Sequence, residues 1–107
     1  MLRELELAGA RQVKAALPEA VMIFIAPPSL AELERRLRGR GTDDEAKIQK
    51  RLARAREEIR AVREFDYAIV NDELEHAVRD FQAVVRAERV RAARLRDEEV
   101  RRFLRER

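Results

Sequence analysis

The stretch Val21-Met-Ile-Phe-Ile-Ala26, followed at once by Pro27-Pro28, decides the fold class of this chain. Six consecutive apolar residues that end at two prolines are typical of a strand buried on both faces, as in a parallel sheet flanked by helices. The next residues, Ser29-Leu-Ala-Glu32, form a capping box. We therefore expect a helix that begins there and runs to about Arg38. A buried strand that leads directly into a helix indicates an α/β fold.

The segments on either side continue this alternation of strands and helices. Leu2 to Leu7 alternates apolar and charged residues, which predicts a short strand, and Ala10 to Leu17 has a helix-forming composition. A second capping box at Thr42 predicts a long helix to about residue 64. Residues 66–70 then predict another short strand, and a capping signal at Asp72 predicts the last helix. The predicted order is β-α-β-α-α-β-α, which is a helix-rich α/β fold with a small parallel sheet.

The composition excludes several classes of protein. The chain has 107 residues, which fits one domain, and it contains no cysteine, which excludes a disulfide scaffold. A hydrophobic content of 46% argues against disorder. The chain has no apolar run near the roughly 20 residues that span a bilayer, and Met1 to Glu4 do not resemble a secretory leader. We therefore expect a cytoplasmic protein with no membrane partner.

Arginines surround a predicted turn between two helices. Arg36, Arg38, Arg40 and Arg51 flank the sequence that contains Gly39 and Gly41. The planar guanidinium group suits bidentate phosphate contacts, and glycine lets the backbone approach a ligand. The alternative is a helix-end turn whose charges are simply solvated, and the residues alone favour that alternative. The sequence contains no Walker A motif, no cluster with metal-ligand spacing and no nucleophile triad.

Five stretches of the chain form a recognisable series. They are Glu4-Leu-Glu-Leu-Ala-Gly9-Ala10, Ile23-Phe-Ile-Ala-Pro-Pro-Ser29, Leu33-Glu-Arg-Arg-Leu-Arg-Gly-Arg-Gly-Thr42, Lys50-Arg-Leu52 and Phe65-Asp-Tyr-Ala-Ile-Val-Asn-Asp72. Together they resemble the C-terminal half of guanylate kinase, in the order and spacing of that family. The resemblance extends from about residue 4 to residue 89. It implies the C-terminal part of a P-loop nucleoside-monophosphate-kinase fold. The activity that it implies is transfer of the γ-phosphate of ATP to GMP, with Mg²⁺ accompanying ATP.

The resemblance also implies roles for individual residues. Arg36 and Arg40 match lid-region arginines that contact ATP phosphates, and Arg51 matches the arginine that follows the lid, so these three are the predicted catalytic residues. Asn71 matches a residue beside the adenine and is the predicted ATP-binding residue.

Two acidic residues, Glu4 and Glu6, match positions near GMP and the metal. The family usually has aspartates at both positions, and Ala8 stands where it has glutamine. These departures weaken the match at the predicted GMP and metal end.

The matched stretches imply a partial kinase. The P-loop with its lysine, the central strand of the sheet and the GMP-binding domain all belong to the family's other half. We therefore expect residues 1–89 to form a single partial kinase core with a lid around residues 38–46. We expect residues 90–107 to form a charged helical tail. By itself the chain is expected to be inactive and to hold no metal or cofactor. Its expected partners are ATP and GMP in the complete enzyme, and either a missing N-terminal half or further copies of itself.

Two other functions stay open at this point. The scaffold could serve as a non-catalytic module that binds a protein partner through its uncovered strand edge. The tail, with nine arginines and five acidic residues from residue 86 onward, could bind nucleic acid. Against nucleic acid, Asp97-Glu98-Glu99 interrupts the basic run, and no aromatic residues are interleaved for stacking on bases.

Overall fold

The computed structural model describes residues 5–105, and in this range the chain forms five α-helices and two β-strands. The elements are α1 (Leu7–Ala16), β1 (Ile23–Ala26), α2 (Leu30–Arg40), α3 (Glu45–Arg60), β2 (Tyr67–Val70), α4 (Leu74–Arg89) and α5 (Asp97–Phe103). Two short 3₁₀ helices lie at Val62–Glu64 and Ala92–Arg94. Within residues 5–105, every helix is too short or too polar to cross a bilayer.

The two strands form a parallel pair, which confirms the α/β class. Ile23 lies opposite Tyr67 and Ile25 opposite Ile69, so the strands run in register along their whole length. Phe24 is buried and packs edge-on against Phe65, with ring centroids 5.2 Å apart. The small parallel sheet was predicted, but β1 is not buried on both faces as its apolar run suggested, because Ile25 is 51% exposed.

The predicted first strand is wrong over the part that the structure describes. Residues 2–4 of that segment lie outside the described residues. Leu5 is irregular, Glu6 is extended but is the N-cap of α1, and Leu7 already belongs to that helix. A strand is stable only with a hydrogen-bonded neighbour, and over residues 5–105 β1 pairs with β2 alone. The chain satisfies its backbone instead by helical bonds, such as Ala10 N–H to the Glu6 carbonyl at 2.8 Å.

Helices α2 and α3 form an antiparallel hairpin with its own apolar core. Ser29 caps α2 as predicted, because its hydroxyl accepts from the Glu32 N–H at 3.0 Å. The cap of α3 differs from the prediction. Asp44, rather than Thr42, accepts from the Lys47 N–H at 2.9 Å. Four side chains pack between the two helices, namely Leu33, Leu37, Ile48 and Leu52.

The C-terminal tail leaves α4 as two short helical pieces rather than as one continuous helix. Residues 92–94 form a 3₁₀ turn, and α5 follows at Asp97. The described part of the chain has a radius of gyration of 18.7 Å and extents of 69 × 31 × 20 Å. A compact domain of this length would have a radius of gyration of about 13 Å. The chain is therefore elongated, and much apolar surface stays uncovered.

Candidate functional site

The candidate site lies where α2 meets the carboxyl ends of the two strands. In open α/β sheets this edge is where ligands bind. The Arg36 guanidinium donates to the backbone carbonyl of Asn71 at 3.3 Å, immediately after β2. The Asn71 N–H in turn donates to the carbonyl of Ala26, the last residue of β1, at 2.7 Å. The structure thus brings together Arg36 and Asn71, two of the residues that the resemblance singled out.

The half-buried Arg36 is held on two sides. Besides Asn71, its Nε donates to Glu32 Oε1 at 3.3 Å, one helical turn earlier on α2. Glu32 also binds Arg35, and the Arg35 hydrogen bond is the main cause that lowers the pKa of the Glu32 carboxyl. A carboxylate with two arginine partners fixes the Arg36 side chain against α2.

The turn between α2 and α3 presents the other two predicted arginines. Gly41 ends α2 with a φ of 66°, the left-handed conformation that glycine adopts readily. Arg40 is the last residue of α2 and is exposed, and within residues 5–105 no carboxylate oxygen lies within 4 Å of its guanidinium. Arg51, on α3, has its Nε 3.8 Å from Asp43 Oδ2. Arg40 is therefore the cation of this turn that an anionic ligand reaches without displacing an acid.

Arg38 differs from the solvated side chain that the sequence suggested. Its Nη1 and Nη2 donate to the two oxygens of Glu45 at 2.6 and 2.9 Å, and its Nε donates to Glu34 at 3.1 Å. The Arg38 hydrogen bond, with a smaller contribution from Gln49, lowers the pKa of Glu45 to about 2. The same bond raises the pKa of Arg38 above its ordinary value. Arg38 is a member of an ion-pair network and joins α2 to α3.

The acidic end of the predicted site is less developed. Glu4 lies outside the described residues. Glu6 is 73% exposed at its side chain, and its Oε1 lies 3.2 Å from Arg54 of α3. Among residues 5–105, no group of three His, Cys, Asp or Glu side chains lies close enough together to hold a metal ion. The described residues therefore do not by themselves fit a Mg²⁺ site.

One network was missed by reading the sequence for motifs. The Tyr67 hydroxyl donates to Glu88 Oε2 at 2.5 Å, and Arg91 and Arg94 approach the same carboxylate at 3.2 and 3.5 Å. Hydrogen bonding from Tyr67 is the main cause that lowers the pKa of Glu88, and the same bond raises the pKa of Tyr67. The sequence did carry a sign that Glu88 lies on the apolar face of the last helix. Glu88 follows Val84 and Val85 at helical spacing.

An open cavity of about 390 Å³ lies between α1 and the segment that precedes β1. Apolar side chains, including Ala10, Met22 and Phe65, line it. At its rim Arg11 makes a bidentate pair with Glu64, with both hydrogen bonds at 2.8 Å. A mostly apolar lining indicates a place for an apolar group rather than for a phosphate.

Comparisons with known proteins agree with the resemblance. The family profile described as guanylate kinase matches residues 2–88. A guanylate kinase of Thermus thermophilus is 58% identical over 95 residues, which cover 89% of this chain and 43% of that protein. Those of Synechococcus sp. CC9902 and Chromobacterium violaceum are 58% identical over 82 residues and 54% identical over 93 residues. These matches cover 77% and 87% of this chain, and 44% of each relative. The chain therefore spans less than half the length of these relatives.

Proposed function

The chain belongs to the guanylate kinase family, and from that premise we propose that it supplies the lid and the ATP-facing arginines of an enzyme that transfers a phosphoryl group from ATP to GMP. The observation that carries the proposal is the contact between Arg36 and Asn71, at 3.3 Å. It joins the helix that leads to the lid with the carboxyl end of the sheet, where the nucleotide would bind.

The chemistry of phosphoryl transfer explains why arginines are the key groups. Negative charge is spread over the oxygens of the transferring phosphoryl group, and catalysis is mostly positioning and electrostatic stabilisation. We assign Arg40 to the transferring phosphate because it has no acid partner within residues 5–105. Arg36 and Arg51 hold the neighbouring phosphates, and Asn71 borders the adenine. Residues 38–46 form the lid that closes over ATP and excludes water.

The remaining parts of the active site belong to the half of the family's proteins that this chain does not match. The sequence has no Walker A lysine, and the described residues do not form a metal site. In the complete enzyme Mg²⁺ would accompany ATP, and Glu4 and Glu6 would lie near GMP and the metal. The 107-residue chain alone should show no GMP-dependent release of ADP in a coupled assay. Turnover by the isolated chain would contradict this proposal.

A chimera tests the proposal directly. The N-terminal part of the Thermus thermophilus guanylate kinase, up to the point where the match begins, would be joined to this chain. The chimera should form ADP and GDP from ATP and GMP. A folded chimera that does not turn over would refute the proposed function.

Single substitutions in that chimera then test the assignment of Arg40. Arg40→Ala should lower kcat by about 10³-fold or more, because an arginine on the transferring phosphate contributes about 10³–10⁵ in rate. Arg56→Ala, on the exposed surface of α3, is the matched control and should leave kcat unchanged. Equal losses from the two substitutions would show that Arg40 does not contact the phosphate.

The second candidate is a non-catalytic interaction module, and one observation favours it. Ile25 of β1 and Val70 at the end of β2 are 51% and 47% exposed. In this non-catalytic role the surface would bind a protein partner, and the partner that we propose is a further copy of the chain. A nucleic-acid role for the tail is weakened because Arg91, Arg94 and Arg96 already pair with carboxylates. A cytoplasmic location stays a prediction.

A further inference from the structure

The Arg38–Glu45 pair spans the turn between α2 and α3. Arg38 lies near the end of α2, and Glu45 is the first residue of α3. We propose that this pair is a positioning device that fixes α3 against α2 and so aims Arg40 and Arg51 at the same ligand. The inference rests on the proposed function, because it takes that ligand to be the nucleotide phosphates.

The geometry of the pair constrains the orientation of α3 relative to α2. Two parallel hydrogen bonds, at 2.6 and 2.9 Å, join the guanidinium fork to the carboxylate. Such a bidentate pair fixes orientation as well as distance. The apolar core of the hairpin, with Leu37 and Ile48, holds the helices together but is non-directional. The pair therefore supplies the angular constraint that the core leaves open.

Further hydrogen bonds hold both members of the pair in place. Glu34 accepts from Arg38 Nε at 3.1 Å, one turn earlier on α2. The Gln49 amide donates to Glu45 Oε1 at 3.0 Å, one turn later on α3. An exposed ion pair generally contributes little to stability unless it is bidentate or part of a network. This pair is both, so its effect should appear in the geometry of the turn.

The position of the pair explains how it acts on the predicted catalytic arginines. Arg40 follows Arg38 by two residues, and Arg51 lies within two helical turns of Glu45. Arg38 itself is occupied by two carboxylates and acts through its neighbours. It is therefore a positioning residue, and its partner Glu45 should be equally necessary.

The first test measures the turn in the 107-residue chain and needs no activity. The chain has no cysteine, so spin labels can be attached at Ala31→Cys on α2 and Ala53→Cys on α3, both exposed. Glu45→Gln and Arg38→Lys should each broaden the distribution of label-to-label distances. Lysine keeps the charge but cannot form the fork. The control is Arg56→Ala, which removes an exposed cation of α3 outside the pair and should leave the distribution unchanged.

The second test uses the kinase chimera. Glu45→Gln and Arg38→Lys should each lower kcat about 10–100-fold, as expected for misplacement of catalytic groups by about 1 Å. The KM for GMP should not change, and the double variant should lose no more than either single variant. The control Arg56→Ala should retain the kcat of the unsubstituted chimera.

The outcomes separate this inference from the proposed function. Unchanged distance distributions in Glu45→Gln and Arg38→Lys would overturn the positioning role. A loss for Arg38→Lys far above that for Glu45→Gln would overturn it as well, because Arg38 would then contact the nucleotide itself. An inactive unsubstituted chimera would refute the proposed function, while broadened distributions in the isolated chain would still support the constraint on the helices.

Discussion

Replacing glycine by alanine at position 39 and at position 41 should have opposite effects on the free energy of unfolding. Gly39 lies inside α2, whereas Gly41 ends it with a φ of 66°. Apart from the adjacent residues and the backbone of the helix itself, a Cβ atom added at either glycine would meet no atom within 4 Å. Steric clash is therefore absent at both positions, and only the backbone conformation distinguishes Gly39→Ala from Gly41→Ala.

The magnitudes follow from that difference in conformation. Alanine is favoured over glycine inside a helix, so Gly39→Ala should raise the free energy of unfolding by about 0.5–1 kcal/mol. The left-handed conformation costs an L-residue about 1–2 kcal/mol, so Gly41→Ala should lower it by about that amount. In a domain of this size each kcal/mol corresponds to a shift in Tm of about 4–8 °C.

Thermal unfolding followed by circular dichroism at one fixed protein concentration measures both variants against the unsubstituted chain. Gly39→Ala should have the higher Tm and Gly41→Ala the lower. Shifts of the same sign, or a destabilised Gly39→Ala variant, would refute the assignment of these two conformations. Such a result would also mean that Gly39 does not have the helical conformation that the structure gives it.

Three further predictions concern the core, the buried carboxylate and association. Leu37→Ala should lower the free energy of unfolding by about 2–5 kcal/mol because the side chain is 3% exposed. Leu74→Ala is the control and should change the free energy of unfolding by less than about 0.5 kcal/mol, because that residue is 75% exposed. Equal losses for the two variants in urea titrations would contradict the hairpin core. Hydrogen bonding from Tyr67 lowers the pKa of Glu88 below its ordinary 4.5. The ionised Glu88 carboxylate therefore contributes fully to the free energy of unfolding above pH 4.5, and this contribution is lost as the pH falls through the folded-state pKa. Glu88→Gln should therefore flatten the loss of stability below pH 4.5, and an unchanged pH profile would argue against the network. Finally, Ile25 is exposed, and within residues 5–105 β1 pairs on one side only, so we expect the chain to self-associate or to unfold partly on dilution. Sedimentation together with circular dichroism over a dilution series tests this expectation. A compact, cooperatively folded monomer at micromolar concentration would contradict it.

Local signals in the sequence determined most of the secondary structure. The apolar run before Pro27 predicted β1, and the hydroxyl of Ser29 caps α2 as its spacing indicated. Such features depend on residues close along the chain, so hydrophobic period and capping chemistry are sufficient to predict them. The same local information identified the arginines around the turn, and the resemblance assigned them to ATP.

Tertiary structure decided what depends on residues far apart in sequence. The segment at Glu6 alternates like a strand, yet its backbone bonds in the described part are helical because β1 offers it no pairing. Arg38 was expected to be solvated because its partner Glu45 lies across a turn. The buried carboxylate of Glu88 accepts a hydrogen bond from Tyr67, which lies 21 residues earlier in the chain. Hydrogen bonds between distant groups depend on how the elements pack, and no local pattern encodes that packing. Sequence therefore determined most of the helices, the two strands of the sheet and the candidate arginines, whereas the packing decided which of those arginines are already occupied by acids.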